Sequence, residues 1–100
     1  MAHVTPLPMR PATALKLVRE LVRDTDNIVL LPHAKKRMKK RGINNRQIEI
    51  CLRLGIISEG PFMNQHGNWQ VTMKRLAAGE EMKLAVAIEE ETKLLIITVM

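Results

Sequence analysis

Residues 33–42, HAKKRMKKRG, combine one histidine with six cationic side chains in ten positions. In a helix, residues four apart lie close together around the axis, so His33, Arg37 and Arg41 would form one row. Arginine binds phosphoryl oxygens through two parallel hydrogen bonds and stabilises the negative charge that develops on them. Histidine is the side chain best suited to proton transfer near neutral pH. The row therefore predicts a surface for a phosphate ester, with His33 as the acid or base.

The same ten residues are compatible with less specific roles. Lys36 and Lys40 form a second row that would hold flanking phosphates, although lysines on an exposed helix are common for solubility alone. His33 could instead cap the helix or pack near the apolar residues 28–31. A nuclear-localisation string fits the composition, but such strings are frequent by chance. Like charges four apart cost roughly 0.2–0.5 kcal/mol per pair, and no acid in the segment offsets them, so we favour contact with a polyanion.

The distribution of charge along the chain supports this interpretation. The 100 residues carry a formal net charge of +6. Residues 10–53 hold twelve Lys or Arg against four acids, a balance of +8, whereas residues 54–100 hold four against six, a balance of −2. A basic half attracts polyanions through counterion release and long-range steering.

Metal, cofactor and membrane sites are not indicated. Cys51 is the only cysteine, and neither it nor the three histidines shows the spacing of metal ligands. Glycine-rich nucleotide-binding motifs do not occur in the sequence, so we expect no metal and no cofactor. No apolar run approaches the roughly 18–20 residues that span a bilayer, and the first residues lack the apolar core of a signal peptide. We therefore expect a cytoplasmic protein that makes no membrane contact.

Hydrophobic periodicity predicts helices first and strands afterwards. We expect a flexible lead-in over residues 1–9 and a single α+β domain over residues 10–100. The apolar residues 28–31 are either a brief strand or an extended approach to the next helix. The helices are expected over about residues 14–24, 33–41 and 45–54, with Gly42, Gly55 and an Asn44–Gln47 capping box at their ends.

After Gly55 the period of the apolar residues changes from 3.6 to 2. Short turns between the strands predict antiparallel hairpins. The predicted fold is therefore two to three N-terminal helices packed on one face of a roughly four-stranded antiparallel sheet. The last strand is a nearly continuous run of apolar residues, which is typical of a central strand covered on both faces; were it an edge strand, it would favour a homodimer. The strands are expected in IISEGPFM, NWQVTMKRL, MKLAVAI and KLLIITVM, at residues 56–63, 68–76, 82–88 and 93–100.

Two strand residues are further candidates for RNA contact. Trp69, near a predicted turn, could stack on a base, or it could form the largest part of the core. Arg75 would hold the phosphate backbone beside Lys36 and Lys40. Cys51 is expected to be a small buried apolar residue.

The string PHAKKRMKKRGI resembles a motif, H-A-x-x-R-M-x-x-R-G-I, that marks a family of small bacterial proteins of unknown function. The likeness continues through LGIISEG, Trp69 and the final ITV, and it covers residues 28–100. The fixed letters of the motif are His33, Ala34, Arg37, Met38, Arg41, Gly42 and Ile43.

That family is distantly similar to the RelE- and BrnT-type toxin ribonucleases of bacterial toxin–antitoxin pairs. The resemblance implies a RelE-like fold, RNA as the substrate, cleavage without metal by attack of the 2′-hydroxyl, and an acidic antitoxin as partner. The chain contains no Tyr, which leaves Arg75 and Thr98 as the polar strand residues suited to catalysis.

Two functions from different classes follow. The first is a ribonuclease-like toxin in which His33 transfers protons while Arg37 and Arg41 bind the phosphate. The alternative is a non-catalytic module that binds nucleic acid or protein through the same basic helix and does not need His33.

Overall fold

The computed structural model of the protein describes residues 9–100. The lead-in expected over residues 1–9 therefore lies, apart from Met9, outside the described residues. Helices and strands follow the order predicted from periodicity, with one short strand added before the second helix. The elements are α1 (Pro11–Leu21), a single 3-10 turn (Thr25–Asn27), β1 (Ile28–Leu30), α2 (Pro32–Arg41), α3 (Asn45–Leu54), β2 (Ile56–Met63), β3 (Trp69–Ala77), β4 (Glu80–Glu89) and β5 (Lys93–Val99).

The five strands form one sheet in the order β1-β5-β4-β3-β2. Strands β2 to β5 pair antiparallel along the chain, whereas β1 pairs parallel to β5. The predicted α+β class is confirmed. The sheet has five strands instead of about four, and it is mixed because residues 28–30, the segment left open between strand and extended chain, form a strand that adds to β5.

Local signals in the sequence account for the helix ends. Pro11 lies in the first turn of α1, where its fixed φ suits a helix and its missing N–H costs nothing. At the start of α3, the Asn44 side chain accepts a hydrogen bond from the Gln47 backbone N–H at 2.9 Å, and the Gln47 side chain accepts one from the Asn44 backbone N–H at 2.8 Å. The predicted capping box is therefore present, and it fixes where α3 begins.

The core lies between the helices and one face of the sheet. Alternate residues of β4 point toward the helices, and so do their partners in β3 and β5. Because all three helices contribute to the same cluster, they lie on one side of the sheet, as predicted. The fully buried members include Ala14 and Val18 of α1, Ala34 of α2, Ile48 and Leu52 of α3, and Val71, Leu84, Val86, Leu94 and Ile96 of the sheet.

The opposite face of the sheet carries a mixture of small, polar and apolar side chains. Ala85 and Ala87 of β4 point to this face, where they pair with Thr98 and Leu95 of β5. Strand β5 is central, as predicted, since it lies between β1 and β4. The prediction that β5 is covered on both faces is wrong, because the described helices pack on one face of the sheet only. The edges of the sheet are β1 and β2, so the edge pairing considered for the last strand does not apply to β5.

None of the helices within residues 9–100 has the length and apolar character needed to cross a membrane.

The burial pattern of the β3–β4 hairpin generates a stability prediction. Leu84 is 0% exposed, and truncating a buried leucine removes apolar contacts and leaves a cavity. We expect Leu84→Ala to lower the free energy of unfolding by about 2–5 kcal/mol in urea denaturation. Leu76, in the same hairpin, is 68% exposed, and Leu76→Ala should change stability by less than about 0.5 kcal/mol. Equal losses for the two variants would contradict the assigned faces.

Candidate functional site

Helix α2 carries the predicted phosphate-binding row, and its two ends are held differently. Leu31, at the N-cap, makes no side-chain cap, and Pro32 begins the helix. At the other end Gly42 has a φ of 67°, a left-handed conformation that glycine adopts without steric cost. The Ile43 N–H reaches back to the Met38 carbonyl at 2.9 Å. The sequence therefore carries a strong signal for the end of α2 at Arg41, and the signal for its start is weak.

Two apolar side chains dock α2 on the sheet. Ala34 is 0% exposed and Met38 is 6% exposed, and both pack in the core on the side of β5. An apolar stripe of this width holds the helix along one narrow edge. The remaining cations other than Arg37 are exposed; together they form the cationic face, which consists of Lys35, Lys36, Lys39, Lys40 and Arg41.

The cationic face has no internal counter-charge in the part of the chain that the structure describes. Ion pairs within residues 9–100 join Arg53 to Glu49, at 3.0 Å, and Glu81 to two lysines outside α2, at 3.6 Å each. The acids of residues 89–91 form no ion pair with α2. Within residues 9–100, no carboxylate therefore forms an ion pair with a cation of this face.

The predicted row lies along α2 with unequal exposure. His33 is exposed in the first turn, Arg37 is half-buried, and Arg41 is exposed in the last turn. Successive members are separated by about 6 Å along the axis, since a helix rises about 1.5 Å per residue. The described residues offer His33 no side-chain hydrogen bond, so its imidazole faces solvent instead of a fixed protein partner.

Arg37 has a structural contact that the sequence did not reveal. Its Nε donates a hydrogen bond of 3.2 Å to the carbonyl oxygen of Val99, in β5. Strand β1 pairs with β5 only at residues 94–96, so the Val99 carbonyl lies beyond the reach of β1. Arg37 therefore supplies a donor where the neighbouring strand is too short to do so. Its Nη groups make no hydrogen bond within the described residues, so they can still bind an anion.

Arg41 and Arg75 meet along one groove, which we call the arginine groove. It has a volume of about 530 Å³ and lies between the α2–α3 turn, α3 and the β3–β4 hairpin. Neither His33 nor Arg37 lines it, so the structure separates the predicted row into an exposed histidine, an anchored arginine and a groove arginine. The lining residues are Arg41, Gly42, Ile43, Gln47, Ile50, Cys51, Arg75, Ala77, Glu80, Glu81 and Met82.

Sequence reasoning singled out both arginines of this groove but did not bring them together. Arg75 points to the helix side of β3, since its partner in β4 is Met82, two residues before the core residue Leu84. The groove exists only because the α2–α3 turn folds over this end of the hairpin. Gln47, Ile50, Glu80 and Met82 were missed as site residues, and no local spacing signals them.

Cys51 forms part of the groove wall, and its thiol is buried. Burial raises the pKa of Cys51 to about 11, and the nearby positive charge of Arg75 lowers it by a smaller amount. The thiol is thus protonated near neutral pH and is a weak nucleophile. The expectation of a small buried apolar residue is confirmed.

Trp69 lies at the other end of β3 from Arg75, about 20 Å away for six residues of extended chain. It is half-buried and pairs with Ile88 on the helix side of the sheet. The indole therefore shares neither the arginine groove nor the open face of the sheet. Lys36 and Lys40, the other predicted RNA contacts, lie on the cationic face. Within residues 9–100, no three His, Cys, Asp or Glu side chains come together in a way that could hold a metal ion.

Comparison with known proteins now places this arrangement in a family. Residues 30–100 match the model of the family described as Domain of unknown function (DUF4258). The chain belongs to this family. No curated protein and no solved structure matches it. The matched region of the DUF4258 domain begins at the end of β1 and therefore contains α2, its anchor on β5 and the whole arginine groove, whereas α1 precedes it.

The bond between Arg37 and Val99 generates a prediction that separates anchoring from anion binding. Arg37→Ala removes the donor of a partly buried carbonyl, so we expect the free energy of unfolding to fall by about 1–3 kcal/mol. The control is Lys36→Ala, one residue earlier on the exposed side of α2, which also removes one positive charge. It should change the free energy of unfolding by less than about 0.5 kcal/mol. Urea denaturation of both variants tests this. Equal stability of the two would mean that Arg37 does not anchor α2.

Proposed function

We propose that this protein binds RNA through the cationic face of α2. The observation that carries the proposal is the exposure of five cations on this face, with no carboxylate paired to any of them within residues 9–100. Such a surface is unfavourable for the isolated protein because like charges repel. Binding of a polyanion removes the repulsion and releases condensed counterions from the nucleic acid.

We propose further that the bound RNA is cleaved, as in a ribonuclease-like toxin. His33 takes the proton of a 2′-hydroxyl, whose oxygen attacks the adjacent phosphorus. A bond forms between phosphorus and the 2′-oxygen, and the bond to the 5′-oxygen breaks. The leaving 5′-oxygen takes up a proton from water, and His33 returns its proton to the solvent, so the products are a 2′,3′-cyclic phosphate and a 5′-hydroxyl. Arg37, through its Nη groups, stabilises the charge on the phosphoryl oxygens, and no metal is required. Arg41, about 12 Å from His33 along the helix axis, binds a neighbouring phosphate of the same strand.

A toxin of this kind needs an inhibitor in the same cell. We propose an acidic antitoxin that covers the cationic face, because its carboxylates would supply the counter-charge that the described residues lack. The RNA substrate would place this activity in the cytoplasm.

A second candidate function is RNA binding without cleavage. It is favoured by the separation of His33 from the arginine groove and by the bond of Arg37 to Val99, which occupies the Nε–H donor of the guanidinium. In that case the cationic face binds phosphates, and His33 has no role in chemistry.

Charge reversal on the cationic face tests RNA binding. We expect Lys36→Glu/Lys40→Glu to weaken the binding of a single-stranded RNA by at least about tenfold. The slope of log K against log salt should become shallower by about 1.4, which corresponds to two lost phosphate contacts on a single strand. Fluorescence anisotropy over a salt series measures both quantities.

The matched control for this experiment is Lys16→Glu/Arg23→Glu, which makes the same change in net charge at two exposed positions, one in α1 and one in the turn that follows it. This control should lower affinity much less. Equal losses for the two pairs would show an effect of net charge alone, and affinity of the unaltered protein that does not depend on salt would contradict the proposal.

Replacement of His33 tests cleavage. In the presence of EDTA we expect the protein to produce 2′,3′-cyclic phosphate ends, and His33→Ala to slow this by about 10²–10⁴-fold with little change in RNA affinity. His66→Ala is the control, since His66 is also exposed but lies in the turn between β2 and β3. If the unaltered protein cleaves no faster than His33→Ala/Arg37→Ala, the ribonuclease proposal is wrong and the non-catalytic function is the one to keep.

A further inference from the structure

We infer that the arginine groove binds one nucleotide of the RNA strand and selects guanine. This inference rests on the proposed RNA binding and adds to it the identity of one base. Arg41 is both the last cation of the α2 row and part of the groove wall. A strand whose phosphates follow α2 would therefore bring its next nucleotide into the groove. The volume of about 530 Å³ is within the range of small-molecule sites, roughly 300–1,000 Å³.

The groove offers two kinds of contact to a nucleotide. Arg41 and Arg75 supply guanidinium groups that bind phosphate bidentately or lie flat against a base. Ile43, Ile50 and Met82 are half-buried along the walls, and such apolar surfaces cover the faces of a base. Phosphate binding alone would require only cations, so the apolar walls indicate a larger ligand than phosphate.

The carboxylates of the groove decide which base fits. Glu81 is within 3.6 Å of Lys74 and of Lys83, so its charge is already balanced. Glu80 is exposed and has no cation within 4.0 Å among residues 9–100. Glu80 is therefore a hydrogen-bond acceptor without an ion-pair partner among residues 9–100, in the same groove as two arginines.

A carboxylate has two acceptor oxygens and, when ionised, no donor. On the Watson–Crick edge, guanine presents two adjacent donors, N1–H and N2–H. Adenine and cytosine each present one donor beside an acceptor, and uracil presents one donor between two acceptors. Only guanine can satisfy both oxygens of Glu80 at once, and the other bases would place an acceptor against the carboxylate. Recognition of unpaired bases on this edge is the usual route to sequence preference in RNA.

The experiment compares two hexauridylates that carry a single guanine or a single adenine at the centre. We expect the protein to bind the guanine hexamer about tenfold more tightly, as one bidentate contact to a base permits. In Glu80→Gln this ratio should fall to about twofold or less, because the amide offers one donor and one acceptor and suits adenine better. The ratio is the readout, since removal of a carboxylate strengthens binding of any polyanion.

The control variant is Glu20→Gln, an exposed position on α1 with the same change in charge, and its ratio should match that of the unaltered protein. Thermal unfolding of each variant verifies that it is folded. Equal, salt-dependent binding of the two hexamers by the unaltered protein would overturn the guanine inference and leave the proposed RNA binding intact. Failure of both hexamers to bind would overturn the proposed function, and the inference with it. If the preference for guanine persists in Glu80→Gln, Glu80 does not select the base, and the assignment of guanine recognition to the arginine groove is overturned.

Discussion

The arrangement of charge in this protein depends on the small apolar contact that docks α2 on the sheet. Only Ala34 and Met38 enter the core from this helix. Burial of a methionine side chain contributes about 1.5–3 kcal/mol and that of an alanine much less, which is modest for a helix whose exposed cations repel one another. The hydrogen bond of Arg37 to Val99 and the left-handed turn at Gly42 supplement this small apolar contact. Because so few side chains dock the helix, most of its surface can carry charge.

Strand β5 is the element that positions this helix. It pairs with β4 on one side and with β1 on the other, and Leu31, just before α2, donates its N–H to the Ile96 carbonyl. The start of α2 is thus fixed by the backbone of β5, and the middle is fixed by Arg37 on the same strand. At its far end the chain turns at Gly42 toward α3, and this turn brings Arg41 over the β3–β4 hairpin. The same docking arrangement accounts for the cationic face and for the arginine groove.

Much of the fold could be predicted from the sequence because its signals are local. The start of α3 follows from Asn44 and Gln47, and the end of α2 follows from Gly42. The alternating residues of β4 identify the core side of the sheet. These features depend on contacts between residues close in sequence, which a pattern can show. The α+β class follows from the change of period after Gly55.

Other features depend on partners that are distant in the chain, and no pattern shows them. Residues 28–30 are too few to indicate a strand, and their partner begins at Leu94, 66 positions after Ile28. The contact of Arg37 with Val99 also joins α2 to β5, 62 positions later in the chain. The candidate site was predicted as one row on a helix, a geometry that concerns α2 alone. The arginine groove also requires Arg75, whose distance from Arg41 is set by the hairpin and the α2–α3 turn.

The pairing of β1 with β5 has a consequence for the newly made chain. Strand β5 is translated after all the other described elements, yet it provides the seat of α2 and the partner of β1. Contacts of such long sequence separation close late, because the loss of chain entropy precedes the gain. Until β5 is in place, β1 has no partner and α2 lacks the Val99 and Ile96 carbonyls that hold it, so the most basic segment of the chain stays undocked. Docking of the basic helix and completion of the sheet are thus linked through a single strand.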